Sequence, residues 1–199
     1  MLLAVVTARA DILDQLTGLR VVEKLIVQEL ERLADTYGDS IYGFCLHLTG
    51  RPEYADDLYQ DTFLKLYEMR ENLHIETNPK SFIMSVALNL YRNYKRKASL
   101  RQLKIGKRIS MEDNLSDIPS KEPVIEEQIV LKEECALLRR EVNKLPDKYK
   151  IPVLLFYMEG LSLTEISQIL KLPGGTVKTR IHRAKKNLKQ KLEDSYYDK

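Results

Sequence analysis

Between residues 22 and 49 apolar side chains recur three and four positions apart: Val22, Leu25, Ile26, Leu30 and Leu33, then Ile41, Phe44, Cys45 and Leu48. That spacing fits an α-helix with one buried face. The stretch "TGRPEYADD" interrupts it, because Gly50 and Pro52 stop one helix and the acids suit the positive end of the next. Leu58, Phe63, Leu66 and Tyr67 mark that second helix. A polar connection, "RENLHIETNPK", precedes a third, "FIMSVALNLYRNYKRKA", for which Ser81 is suited as cap and Phe82, Val86, Leu90 and Tyr94 form the stripe. From about 99 to 124 the period fails, and "SMEDNLSDIPSKEP" has the Ser, Asp, Asn and Pro content of a linker. Helix resumes near Ile125 and runs to about Lys144; "LPDKYK" starts another that reaches Met158. No internal repeat and no convincing strand is found. The pattern predicts an all-α chain of two small helical domains, 22–98 and 125–193, joined by a flexible linker at 99–124, with a tail at 194–199. Residues 1–21, with Ile12, Leu13, Leu16 and Leu19 in an amphipathic pattern, form an N-terminal extension that fits an extra helix or an early start codon.

The last stretch, "LSLTEISQILKLPGGTVKTRIHRAKKNLKQKL" (161–192), carries the most specific signal. Ser162 and Glu165 have the spacing of a capping box, in which each side chain satisfies a free amide at the helix start. Leu163, Ile166, Ile169 and Leu170 make the apolar face of the first helix, and Pro173 suits the start of the second. Val177, Ile181, Ala184, Leu188 and Leu192 form one stripe on that second helix. Lys178, Thr179, Arg180, His182, Arg183, Lys185 and Lys186 are left facing outward. Two helices joined by a short turn, the second cationic, match a helix-turn-helix that lies in the major groove of DNA. A solvated basic hairpin is the bland competitor; the capping box, the turn length, the small Gly174–Gly175–Thr176 start and the acid-free outer face weigh against it.

Charge deepens this picture. The net charge of +3 is mild, but Arg92–Arg108 carries eight Lys or Arg and no acid, and Lys171–Lys191 carries eight more with none. Between them, Glu112–Glu134 holds eight acids against two lysines. Two basic blocks separated by an acidic one suggest two contacts with a polyanion. Cys45 and Cys135 are too far apart in sequence to suggest a disulfide framework or a CxxC metal site, and the opening "MLLAVV" is too short for a signal peptide or a membrane span, so a cytoplasmic protein is expected. His47, His74 and His182 sit in different elements, and no carboxylate pair or Ser-His set stands out. The chain is expected to have no catalytic residues, no metal and no cofactor.

With those residues in view, "LPDKYKIPVLLFYMEGLSLTEISQILKLPGGTVKTRIHRAKKNL" closely resembles region 4 of bacterial RNA polymerase sigma factors, above all in its "GTVK-x-R-x-x-RA" run. "YADDLYQDTFLKLY" resembles the region 2 helix that holds the polymerase. "SFIMSVALNLYRNYKRK" is similar to the promoter-melting helix, at Phe82, Ile83, Val86, Ala87, Asn89 and Arg96. Both halves in this order, with a short linker, look like the small extracytoplasmic-function (ECF) group of the sigma-70 family, over about residues 23–192. Two positions depart from the pattern: Asn93 stands where an acid is usual, and Lys171 where a glycine is common, which implies a mildly strained turn or a shifted cap.

The resemblance implies three surfaces. Asp56, Asp57, Gln60, Asp61 and Leu64 would dock on core RNA polymerase, at its clamp coiled coil, with the flap as a second contact. Asn72, His74 and Asn78 of the loop and Asn89, Arg92, Lys95, Arg96 and Lys97 of the helix would take the opened −10 element, cations meeting phosphates and polar groups meeting unstacked bases. Thr176, Lys178, Thr179, Arg180, His182, Arg183, Lys185 and Lys186 would meet the −35 element. Tyr91 and Tyr94 fit either the DNA face or the core. Promoter DNA and core polymerase are the implied partners, an anti-sigma factor is a candidate partner, and no small-molecule substrate is implied. The alternative is a helix-turn-helix regulator whose N-terminal helical domain dimerises or senses a ligand; it would bind duplex sites alone, as a symmetric dimer.

Overall fold

A computed structural model of the chain describes the backbone of residues 2–69, 78–105 and 126–197, with side chains over 25–69, 78–101 and 135–194. The expected residues Asn72 and His74, the stretch 106–125 and the tail after 197 lie outside the described residues. The helices are α1 (Leu2–Thr49), α2 (Pro52–Glu68), α3 (Pro79–Ile105), α4 (Glu126–Lys144), α5 (Asp147–Val153), α6 (Leu163–Leu170) and α7 (Gly174–Tyr197). There is no strand among the described residues, so the chain is all-α as expected. The extension is continuous with the first long helix, which begins at Leu2 rather than near residue 22.

The corner between α1 and α2 is built from the residues the sequence marked. Gly50 takes φ +72°, open to glycine without strain, and its amide donates to Leu46 O at 2.8 Å. Pro52 begins α2, where its missing amide costs nothing. Leu33, Ile41, Phe44 and Leu48 of α1 close against Ala55, Leu58 and Leu66 of α2 and Ile83, Met84, Ala87 and Leu88 of α3, all almost wholly inaccessible. Each such Leu, Ile or Phe contributes about 1.5–3 kcal/mol by leaving water.

Two expectations for α3 need correction. Its cap is Asn78, not Ser81: Ser81 N–H donates to Asn78 Oδ1 at 3.0 Å, and Phe82 N–H to Asn78 O at 3.2 Å. The expected stripe is mostly half-buried at Phe82, Leu90 and Tyr94, while Ile83, Met84, Ala87, Leu88 and Tyr91 are buried more deeply. The reason is that α3 packs on α1 and α2 and also on α6, so burial spreads beyond one face. The helix also runs to Ile105, past the point at 98 where its apolar period fades.

In the second unit, α5 contains the buried Pro152, which has no amide to donate. The chain continues as a π-helical turn, Leu154–Met158, where Glu159 N–H reaches Leu154 O at 3.1 Å. The capping box is present: Glu165 N–H donates to Ser162 Oγ at 3.3 Å and Ser162 N–H to Glu165 Oε2 at 2.7 Å. Lys171 closes α6 in the left-handed region (φ 55°, ψ 47°), the strained turn expected where glycine is absent. On α7, Val177, Ile181, Ala184 and Leu188 are buried as predicted, against α5, α6 and α4.

The two helical units touch. Lys150 of α5 donates from Nζ to His47 O at 2.9 Å, at the end of α1. Glu159 pairs with Lys80 at 3.0 Å and accepts from Ser40. Lys95 of α3 pairs with Asp147 of α5 at 2.7 Å, and Asn78 donates to Glu165.

Candidate nucleic-acid and polymerase interface

On α2 the helical period separates two faces. Ala55, Leu58, Thr62 and Leu66 point inward. Asp56, Asp57, Gln60 and Leu64 are exposed, Leu64 by 55%, beside the half-exposed Tyr54. An apolar centre with an acidic rim is the usual anatomy of a protein interface. Asp61 departs from the group: it is half-buried and accepts the hydroxyl proton of Tyr94. Asp56, though exposed, also acts on Tyr42: the hydrogen bond between them, with burial next, holds the Tyr42 hydroxyl above its ordinary pKa.

Along α3, Asn89, Arg92, Lys95, Arg96 and Lys97 are all exposed. Arg96 approaches Asn93 Oδ1 at 3.4 Å, a long contact that leaves the guanidinium free to turn outward. Tyr91 is core: it is 7% exposed, and burial, with the Asp147 charge next, pushes its hydroxyl up to about 12. Lys95 is held charged: burial works against the ammonium, but the hydrogen bond to Asp147 and the facing Tyr91 more than offset it, and its pKa is raised. Arg92 is lowered by burial first, with Asp147 acting the other way and Arg180 of α7 repelling it. That repulsion concerns one pair, Arg92 of α3 and Arg180 of α7. Asn78 is present but occupied, its carbonyl capping α3 and its amide on Glu165.

The third face is α7. Lys178, Thr179, His182, Arg183, Lys185 and Lys186 are exposed, and Thr176 and Arg180 half-exposed. Thr179 Oγ1 donates back to Gly175 O at 2.8 Å, which leaves its methyl and lone pairs outward. Thr176, Thr179, Arg180 and Arg183 line an open cavity of about 370 Å³ together with Lys148 and Tyr149 of α5. Lys148 Nζ lies 5.0 Å from the Tyr149 ring centre. Those two were not among the expected residues; they stand on a different helix, and only folding places them beside the start of α7. The cavity is cationic and opens at a helix N-terminus, so it suits phosphate oxygens. Among the described residues no group of His, Cys, Asp and Glu could hold a metal, and no helix is long and apolar enough to cross a membrane.

Comparison with known proteins agrees with this geometry. Residues 33–101 match the family description "Sigma-70 region 2" and residues 135–188 match "Sigma-70, region 4". The chain is 32% identical over 165 residues to the ECF RNA polymerase sigma factor SigW of Bacillus subtilis, covering 81% of this chain and 88% of that one. It is 25% identical over 194 residues to the ECF RNA polymerase sigma-E factor of Haemophilus influenzae, covering 90% and 97%. Among solved structures, the sigma factor RpoE in complex with the anti-sigma factor NepR, from Bartonella quintana, has the same fold at TM-score 0.66 and 21% identity, over 86% of this chain and 98% of that one. CnrH in complex with the cytosolic domain of CnrY follows at TM-score 0.60 and 18% identity, over 88% and 97%. A region 2 unit followed by a region 4 unit that ends in a capped helix-turn-helix is the make-up of a sigma-type transcription factor. The chain belongs to the ECF group of the sigma-70 family of RNA polymerase sigma factors, and its function is to direct promoter-specific transcription initiation. The match to region 2 sets aside the reading as a dimeric regulator.

Proposed function

We propose that α2 docks this subunit on core RNA polymerase through Asp56, Asp57, Gln60 and Leu64, that α3 receives the opened −10 strand, and that α7 reads the −35 duplex. The polymerase supplies the chemistry and this chain, in the cytoplasm, chooses where it starts; no catalytic residue and no small-molecule substrate is assigned to it. The observation that carries the reading is α7, whose apolar stripe is buried while the side chains assigned to DNA from Lys178 to Lys186 are exposed, Arg180 alone being half-buried, with no acid among them. Arg and Lys on such a face serve two purposes, bidentate contact with guanine near the helix start and neutralisation of phosphates on the flanks. Asp61 does not fit the docking group well, since its carboxylate already serves Tyr94. Asn72, His74, Asn78, Asn89, Arg92, Lys95, Arg96 and Lys97 form the −10 set, of which Asn78 and Lys95 must first leave their partners on the second unit. An anti-sigma factor is a candidate partner, as it is for the RpoE of Bartonella quintana solved in complex with one. The direct test is to mix the protein with core polymerase and a promoter library and sequence the transcript starts. Initiation at a restricted set of sites supports the proposal; random or absent initiation opposes it.

A further inference from the structure

Up to Tyr91, which is buried, α3 is wedged into the core of the first unit. From Arg92 to Arg101 none of its side chains is buried, and Arg92, Lys95, Arg96 and Lys97 all stand on this outer stretch. A helix that carries four cations past its last core residue keeps its direction only if something further along holds it. Among the described residues two side-chain hydrogen bonds tie the stretch to another helix. Lys95 donates to Asp147 of α5 at 2.7 Å, and Tyr94 donates its hydroxyl to Asp61 of α2. The second of these lies wholly within the span that matches region 2.

Tyr94 follows Tyr91 by three positions, on the same side of α3, and its ring is half-buried against the core. Burial, then the Asp61 hydrogen bond and charge, hold its proton on well above the ordinary tyrosine range, with Asp57 adding to the effect. The phenol therefore remains a donor, and a hydrogen bond to a carboxylate is among the stronger kinds. Asp61 lies one turn along α2 from Asp57 and beside Gln60, two of the side chains proposed to meet the polymerase. Those two are exposed, whereas Asp61 is half-buried and turned to α3. One carboxylate stands where the docking face of α2 meets the strand-reading helix.

We infer that Asp61 is a positioning residue for promoter opening and not a polymerase contact: through Tyr94 it fixes the cationic end of α3 relative to the docked face of α2, so that Arg96 and Lys97 meet the −10 strand where the polymerase holds it. The inference rests on the assignment of α2 to docking and of α3 to the opened strand. When Lys95 turns from Asp147 to a phosphate, the Tyr94–Asp61 bond is the one of the two ties that remains. Cations already aimed lose less freedom when a strand arrives, so the contact acts on the opened complex and leaves the affinity for core polymerase alone.

The test uses the full chain assembled with core polymerase on a promoter it selects, with two readouts. One is competition of each variant with labelled native chain for core enzyme. The other is the lifetime of the opened −10 segment after a heparin challenge, followed by permanganate reactivity of its thymines. Tyr94→Phe removes the hydroxyl and keeps the ring; Asp61→Ala removes the acceptor; Asp61→Asn keeps an acceptor without the charge. Tyr94→Phe and Asp61→Ala should each leave competition within about twofold of native and shorten the lifetime about tenfold, the order expected for losing one hydrogen bond to a charged group. The double variant should be no worse than either single one, because both remove the same contact. Asp61→Asn should recover most of the lifetime, and with Tyr94→Phe it carries the test if Asp61→Ala prevents folding. Weaker competition by the Asp61 variants with both readouts native in Tyr94→Phe overturns the inference, because Asp61 then meets the polymerase directly. Losses that multiply in the double variant overturn it too, because the two residues then act separately. A native chain that competes for core polymerase yet opens no promoter fails the functional reading and this inference together; normal opening by the native chain with unchanged lifetimes in the variants fails the inference alone.

Discussion

Lys150 Nζ, in the middle of α5, sits 2.9 Å from His47 O and 3.3 Å from Leu48 O in the last turn of α1. Carbonyls at a helix C-terminus lack intrahelical partners and carry the negative end of the dipole, so an ammonium group there satisfies both needs. Burial lowers the pKa of this lysine, with Asp147 working against the shift. Lys150→Met keeps the stem and removes the donor. It should destabilise the chain by about 1–3 kcal/mol, read from urea unfolding, because buried carbonyls lose their partner. No change in the midpoint would mean that water replaces the ammonium freely.

His47 itself predicts a pH response. Burial lowers its pKa from 6.5, Arg139 and Lys150 push the same way, and Asn143 and Glu159 oppose them. The folded chain therefore holds this proton less well than the unfolded one, and stability should fall as pH drops below about 6.5, levelling once the folded pKa is passed. Glu141 and Glu165, whose pKa values are lowered, should lose their contributions only further down, as pH falls below 4.5. His47→Gln should flatten the urea midpoint between pH 7 and 5. An unchanged slope would assign the response to other groups.

Asp57 and Asp61 look alike in the sequence and should behave differently. Asp57→Lys changes an exposed side chain and should abolish competition for core polymerase at unchanged melting temperature. Asp61→Ala strands the Tyr94 hydroxyl, half-buried on α3, and should cost about 1 kcal/mol of stability. Equal stability of the two variants would contradict the contact.

The contrast between these two acids shows what was legible in the sequence. The last helix was readable because a single face carries its burial: Val177, Ile181, Ala184 and Leu188 are spaced for one stripe and are buried as one. The Ser162–Glu165 box was readable because its partners are three residues apart. The contacts of Lys150, Glu159 and Asp147 were not, since their partners are on average dozens of residues away and a polar residue in a helix reads as solvated. For the same reason Lys148 and Tyr149 escaped notice as neighbours of α7.

On α7, the roles proposed for Arg183 and Lys186 separate base reading from phosphate holding. Arg183→Ala should cost about 1–3 kcal/mol on the preferred upstream element and relax the choice of base at one position. Lys186→Ala should weaken all sequences alike and reduce the salt slope by about one counterion. A selection from randomised upstream elements distinguishes them. A shifted sequence with Lys186→Ala and uniform weakening with Arg183→Ala would reverse the orientation of the helix in the groove.

The most direct measurement is run-off transcription by core polymerase carrying this subunit, on a promoter it selects, with the upstream and downstream elements scrambled one at a time. Two reading surfaces on one chain predict that either change abolishes the specific transcript, and that the isolated chain does not protect the same duplex as a symmetric dimer. A transcript that survives either scrambling, or dimeric protection without polymerase, would contradict the account.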